Sequence, residues 1–172
     1  MKESTKNAIF TLVSLVFAGL VLVFMAVPNV SLGGSIGNLG GTISEWSGFN
    51  FYENAVATDF MKAMLIITAI IACATVILGI LKLVADSKLC KSKSLAKIVS
   101  FLFKLFAVAL FVTSLLYMIS VITMCNDLSG GAEGISGGFT PVYWSIILLM
   151  VFGLASAVSS FFTSMVSKKK KK

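Results

Sequence analysis

Four long stretches of this chain carry almost no charged side chain, and they constrain its fold more than any other feature. A helix needs about 20 mostly apolar residues to cross the roughly 30 Å hydrocarbon core of a bilayer. Four segments meet this requirement, at about 8–27, 61–84, 98–124 and 142–166. Because lipid offers the backbone no hydrogen-bonding partner, such segments must be helical. The sequence therefore predicts an all-α integral membrane protein, a four-transmembrane-helix bundle that forms a single membrane domain over residues 1–172.

The overall composition supports this interpretation. Hydrophobic residues make up 58% of the chain and charged residues 12%, about half the charged share of a typical soluble domain. Lys2 and Lys6 precede the first apolar stretch, as the basic residues of a signal peptide do. That stretch is longer than the roughly 7–15 residues of a signal peptide's apolar region, so we expect an uncleaved span.

The distribution of lysines predicts which way the chain faces. All fourteen positive charges are Lys, and every one except Lys62 lies before the first span, around the second connection or in the tail. Positive residues favour the cytoplasmic side. We therefore expect a multi-pass protein of the cell membrane with both termini in the cytoplasm. The predicted connections are outer loops at about 28–60 and 125–141, a cytoplasmic loop at about 85–97 and a basic tail at 167–172.

A stripe of lysines, Lys93, Lys97 and Lys104, recurs at helical spacing and leads into the third span. Lysines near helix ends extend toward lipid headgroups and attract anionic lipid by about 1 kcal/mol each. The expected partner on the cytoplasmic side is therefore a bilayer with anionic headgroups. The lysines near the ends of the spans, Lys62, Lys82 and Lys104, are placed to do the same.

Ten of the fourteen glycines lie in two matching windows of the outer loops. Gly33 corresponds to Gly130 at a displacement of 97 residues, and Asn29 corresponds to Asn126 at the same displacement. The matched glycines are Gly33, Gly34, Gly37, Gly40 and Gly41 in the first loop and Gly130, Gly131, Gly134, Gly137 and Gly138 in the second. Glycine lets one backbone approach another closely. Glycine at every third position is compatible with an extended helix of three residues per turn, and we expect these loops to be ordered assembly surfaces.

The spans carry a second correspondence, made of small residues. Thr68, Ala72, Thr75 and Gly79 form one helical face, because residues spaced by three or four share a face. Gly153, Ala157, Ser160 and Ser164 form the same face 85 residues later. Small residues are the usual contacts between membrane helices. The chain is therefore predicted to be two parallel repeats of a helical hairpin, related by an axis along the membrane normal.

Thr113, Tyr117 and Ser120 form a polar stripe on the third span. The stripe is predicted to point into the bundle, either as interhelical hydrogen-bonding groups or as part of a solute path.

Enzyme chemistry is disfavoured. The chain has no His, and the predicted spans contain no acidic residue, so acid–base pairs and His metal sites at lipid depth are missing. We expect no catalytic residue, no cofactor, no metal site and no nucleic-acid partner.

The favoured function is non-enzymatic. It is homo-oligomeric assembly, or assembly with a membrane-protein partner, into a structural array or wide pore through the glycine-rich loops. The alternative is a channel or transporter subunit for an uncharged or amphipathic solute. A third possibility is a holin-like lysis protein, suggested by small size, several spans and the basic tail.

Overall fold

A computed structural model describes residues 3–36, 39–53, 56–86, 93–128 and 136–165. The chain forms a helical bundle with a small sheet at one end. The elements, in chain order, are α1 (Glu3–Ala26), β1 (Pro28–Ile36), β2 (Leu39–Ser47), α2 (Gly48–Phe51), α3 (Asp59–Asp86), α4 (Lys93–Leu128), β3 (Ser136–Pro141) and α5 (Tyr143–Met165).

Four of the helices, α1, α3, α4 and α5, are long and apolar enough to cross a membrane. The prediction of a four-span, multi-pass membrane protein is confirmed at this level. The helices extend beyond the predicted spans: α3 includes Asp59 and Asp86, so this span does carry acids at its ends. With 36 residues, α4 is about 54 Å long at 1.5 Å per residue, which exceeds the thickness of the hydrocarbon core.

Local chemistry sets the helix ends. Pro28 lies two residues after Ala26, the last residue of α1, and lacks the N–H that a continuing helix requires. Thr58 caps α3, because its hydroxyl accepts a hydrogen bond from the Met61 N–H over 3.2 Å. Ser47 caps the short helix α2 in the same way, through the N–H of Asn50 at 3.2 Å.

The long helices form a ring in the order α1, α3, α4, α5, in which α1 packs on α5 and α3 while α4 packs on α3 and α5. Long helices that follow one another in the chain, α1 with α3, α3 with α4 and α4 with α5, therefore lie side by side. We call the end that carries the sheet the sheet end. The opposite end, where α1 begins, α5 finishes and α3 leads toward α4, is the terminal end.

The interior of the bundle differs between its two ends. Large apolar side chains fill the half nearer the sheet, where Met25, Leu65, Val121 and Ile146 are buried. The half nearer the terminal end buries Phe103, Lys82 and many small or hydroxylated residues, which include Thr11, Ser14, Thr75, Gly79, Ser156, Ser160 and Thr163. Small side chains and hydroxyl hydrogen bonds therefore contribute much of the helix packing in that half.

The described parts of the glycine-rich segments form strands where loops were expected. The sheet is antiparallel with the order β2-β1-β3, and β2 and β3 are its edges within the described residues. Extended chains outside the membrane satisfy their backbone groups by pairing with one another. This pairing replaces the predicted three-residue-per-turn helix, whose backbone forms no internal hydrogen bonds.

Candidate functional site

The two glycine windows meet in the sheet. Gly33 lies opposite Gly138, and Gly34 lies opposite Gly137. On the other side of β1, Gly34 lies opposite Gly41. Gly41, Gly34 and Gly137 therefore form a row across all three strands that carries no side chain.

A further glycine extends this bare region, since Gly40 lies opposite Ser35, next to the three-glycine row. We call Gly33, Gly34, Gly40, Gly41, Gly137 and Gly138 the glycine platform. Four of the predicted assembly glycines, Gly37, Gly130, Gly131 and Gly134, lie outside the described residues.

The platform occupies the half of the sheet that is farther from the bundle. Pro28, Ser47 and Pro141 lie at the near end of their strands, where the chain leaves or joins helices. The platform begins one residue pair beyond the pairing of Leu32 with Phe139. The bare backbone is thus displayed away from the helices.

An aromatic cluster fixes the near half of the sheet to the bundle. The rings of Trp46, Phe51 and Phe139 lie 5.6–5.9 Å apart between centroids. Phe51 is fully buried. Aromatic pairs at such distances contribute more stability than their buried area alone provides. The half of the sheet that supports the glycine platform is therefore held in place by these rings.

Asn29 forms a polar junction where α1 enters the sheet. The register of β1 against β2 shifts between Pro28 and Val30, which leaves Asn29 as a bulge. Its fully buried amide donates to the Phe24 and Met25 carbonyls at 3.3 and 3.5 Å. Its side-chain oxygen accepts from the Ser145 hydroxyl at 3.0 Å, which ties α1 to α5.

Gly48 completes this junction and was not singled out from the sequence. A Cβ at this position would lie 2.3 Å from the Tyr117 hydroxyl oxygen and 2.8 Å from Leu65 Cδ1. Because Gly48 has no side chain, α2 can pack against Leu65 of α3 and Tyr117 of α4. No sequence pattern marks Gly48, because it lies outside both glycine windows.

The predicted helix-packing residues face other helices. Thr68, Ala72, Thr75 and Gly79 on α3, and Gly153, Ala157 and Ser160 on α5, are buried. For Ser164 only the backbone position in α5 is described.

Two glycines of this set lie especially close to their neighbours. A Cβ at Gly153 would lie 3.2 Å from the Phe111 Cα of α4. A Cβ at Gly79 would lie 3.2 Å from Leu15 Cδ1 of α1 and 3.1 Å from Phe103 Cε2 of α4. The α5 backbone thus approaches the α4 backbone closely at Gly153, while Gly79 leaves room for side chains of α1 and α4, as small residues between membrane helices allow.

The polar stripe of α4 is buried in the bundle. Thr113, Tyr117 and Ser120 are 8%, 0% and 1% exposed. The Thr113 and Ser120 hydroxyls donate to carbonyls of their own helix, at 3.2 and 2.7 Å, and the Thr113 carbonyl accepts from the Thr68 hydroxyl of α3 at 3.2 Å. Of these hydrogen bonds, the one from Thr68 to the Thr113 carbonyl joins two helices; a role of the stripe in a solute path stays a prediction.

The lysines differ in their surroundings. Lys97 is exposed, Lys104 is half-buried, and Lys93 begins α4; their contact with lipid headgroups stays a prediction. Lys62 lies 5.8 Å from the centre of the Tyr52 ring.

The expectation that Lys82 extends to the headgroups is wrong. Its side chain is 4% exposed and pairs with Asp86 one turn later in α3. A lysine inside a membrane bundle requires such a partner, because an unpaired charge there is costly.

Among residues 3–36, 39–53, 56–86, 93–128 and 136–165, no three His, Cys, Asp or Glu side chains come together as a metal site would require. No protein-family model matches the chain, and a comparison with curated proteins finds no relative.

Proposed function

We propose that this protein is non-enzymatic and acts by assembling with further copies of itself, through the glycine platform of its outer sheet, into an array or a wide pore. The observation that carries the proposal is the row of Gly41, Gly34 and Gly137 across all three strands. Two segments that lie about a hundred residues apart in the chain place glycine opposite glycine at two successive positions of their pairing.

Glycine is a poor choice for a strand that only needs to be stable, since it weakens strands by loss of entropy and side-chain packing. A strand interior with Gly usually marks a site where another backbone or a ligand approaches closely. Glycine at the same level of three neighbouring strands therefore indicates that another surface packs closely against the sheet at this level. The mutual packing of Trp46, Phe51 and Phe139 beneath the platform would keep this contact surface rigid.

A second copy suits this surface because chains inserted in one membrane share one orientation and present their sheets at the same level. Flat surfaces without side chains are complementary to themselves, as an isologous contact requires. By the positive-inside rule, the sheet would face outward and both termini the cytoplasm.

The test is the size of the full chain in mild detergent and in lipid nanodiscs, measured by light scattering. The proposal expects a defined oligomer that Gly34→Val combined with Gly137→Val reduces to the monomer. Gly19→Val is the matched control, because a Cβ at Gly19 in α1 meets nothing within 4 Å. If Gly19→Val dissociates the oligomer and the sheet variant does not, the spans form the contact and the proposal is wrong.

The sheet variant must also remain folded. Circular dichroism and thermal unfolding of the same samples establish this, and Gly34→Ala is the milder variant where the double substitution unfolds the protein. A wild-type chain that is monomeric in both nanodiscs and detergent would overturn the proposal.

A further inference from the structure

Five exposed aromatic side chains surround the bundle near the sheet. Phe49 and Tyr52 lie in α2 and at its end, Phe60 lies in the first turn of α3, and Tyr143 and Trp144 begin α5. Each is 39–57% exposed, and we call the five the aromatic girdle. Because α3 and α5 occupy opposite corners of the helix ring, the girdle lies on two sides of the molecule.

The two sides of the girdle lie at the same level of the bundle. Thr68 of α3 and Gly153 of α5 contact one turn of α4, residues 111–114. The Thr68 hydroxyl donates to a carbonyl of this turn at 3.2 Å, and a Cβ at Gly153 would lie 3.2 Å from one of its Cα atoms. Thr68 follows Phe60 by eight residues and Gly153 follows Trp144 by nine, which are about 12 and 14 Å along a helix. Phe60 and Trp144 therefore lie at nearly equal heights.

Tyrosine and tryptophan distinguish this level from the rest of the exposed surface. Every exposed Tyr or Trp of the chain lies in the girdle, because Tyr117 is buried and Trp46 is half-buried. Exposed Phe, in contrast, also occurs near the terminal end, as at Phe101. Tyr and Trp combine an apolar ring with a polar group and concentrate where hydrocarbon meets headgroups. Their positions indicate such a boundary at the girdle.

The distance from the girdle to the terminal end matches the thickness of a bilayer. From Trp144 to Met165, α5 carries no charged residue, over about 32 Å at 1.5 Å per residue. The α1 helix carries none between the exposed Lys6 and Ala26, over about 30 Å. The Phe24 ring in the last turn of α1 lies 6.2 Å from the Trp144 ring, so both lengths start at the girdle. The hydrocarbon core is about 30 Å thick, and its second boundary therefore falls where the charged residues begin.

We propose that the aromatic girdle binds the boundary between hydrocarbon and headgroups in the leaflet on the sheet side, and thereby holds the sheet outside the hydrocarbon. The Val142 N–H donates to the Asn29 carbonyl at 2.9 Å, which places Asn29 next to the girdle. Gly33 is four residues farther along β1, up to about 13 Å at 3.3 Å per residue. The headgroup region on each side is roughly 5–8 Å thick, so the glycine platform lies in water. This inference does not depend on assembly through the sheet.

A second copy of the chain is a poorer occupant of the girdle than lipid. Contacts between membrane helices concentrate small residues that let backbones approach. The exposed residues that follow the girdle include large aliphatic ones, Ile66 and Ile70 on α3 and Ile147 and Leu154 on α5. Such side chains suit acyl chains, and the aromatic residues above them suit the boundary of the same lipids.

Tryptophan fluorescence in bilayers tests the proposal, because the chain has two Trp and bromine on an acyl chain quenches only a nearby indole. Trp46→Phe leaves Trp144 as the reporter. The full chain is reconstituted at low density in phosphatidylcholine vesicles whose acyl chains carry bromine either near the headgroup or near the methyl end. We expect shallow bromines to quench Trp144 about two-fold more than deep bromines, as a side chain at the boundary requires. Quenching by deep bromines that equals or exceeds quenching by shallow ones would overturn the proposal.

Two further reporters, each in the chain with both native Trp replaced by Phe, calibrate the depth. Ile70 is 61% exposed and lies about 15 Å from the girdle along α3, so Ile70→Trp should be quenched more by deep bromines. Thr42 is exposed and lies opposite Gly33, so Thr42→Trp should be quenched by neither. A Thr42→Trp reporter quenched as strongly as Trp144 would place the sheet in the membrane. Trp144 left unquenched while Ile70→Trp is quenched would show that another chain covers the girdle, and either result refutes the proposal. Circular dichroism of the same vesicles establishes that each variant is folded.

Discussion

Ser14 and Ser156 exchange hydrogen bonds across the interface of α1 and α5. The Ser14 hydroxyl donates to the Ser156 carbonyl over 2.8 Å, and the Ser156 hydroxyl donates to the Ser14 carbonyl over 3.0 Å. Both serines are fully buried. The pair thus joins α1 to α5 in the half of the bundle nearer the terminal end.

Replacing both serines by Ala is expected to lower the free energy of unfolding by about 1–2 kcal/mol. Hydrogen bonds between membrane helices average about 0.6 kcal/mol and reach about 1.7, and this exchange contributes two. Reversible unfolding in mixed detergent and dodecyl sulfate micelles measures the loss. Ser94→Ala, at an exposed position of α4, is the control and should change nothing. A double variant as stable as wild type would contradict the assignment.

Gly48→Ala is expected to lower the free energy of unfolding by about 1–3 kcal/mol, the usual range for overpacking a well-packed site. The added Cβ would meet the Tyr117 hydroxyl oxygen at 2.3 Å, so one of the two must shift. Tyr117→Phe removes that oxygen and should restore part of the loss. A double-mutant cycle by chemical unfolding checks this coupling; strictly additive effects would show that the two positions do not interact.

The sequence was sufficient to predict the four spans, because apolar length is a local property. It did not predict the sheet. Pairing Gly33 with Gly138 depends on the bundle bringing two distant segments together, and glycine has a low strand propensity that favours a loop assignment.

Lys82 shows a different limit. Its place near the end of an apolar stretch favours a lysine that reaches the headgroups. Burial depends on which face of α3 meets α1 and α4, and Gly79 one turn earlier lies between Leu15 and Phe103. Lys82 lies on the same face of α3 as Gly79, so its side chain is buried in the bundle. It pairs there with Asp86, which lies just past the predicted span.

Asp86→Asn is expected to lower the free energy of unfolding by about 2–3 kcal/mol. Removing one partner of a buried ion pair leaves an uncompensated charge, which costs roughly 3–5 kcal/mol when both partners are buried. The loss is smaller here because the Asp86 side chain is 34% exposed. Combining Asp86→Asn with Lys82→Met should return stability close to wild type. The same micelle assay compares the double variant with Asp86→Asn alone. A double variant less stable than Asp86→Asn would show that Asp86 does not offset the cost of burying the Lys82 charge.

Comparing Asn29→Ala with Asn126→Ala tests whether the two asparagines have equivalent roles, as the repeat hypothesis implies, or whether Asn29 is important because of its own contacts where α1 enters the sheet. The two asparagines correspond in the predicted repeat, yet Asn29 is buried in a bulge while Asn126 is exposed near the end of α4. Asn29→Ala removes the acceptor of the Ser145 hydroxyl and the donor to the Phe24 and Met25 carbonyls. Leaving buried polar groups unpaired costs about 1–3 kcal/mol, so Asn29→Ala should lower the free energy of unfolding by that amount. Asn126→Ala should leave it unchanged, and equal losses from the two variants would mean that both asparagines make equivalent contacts.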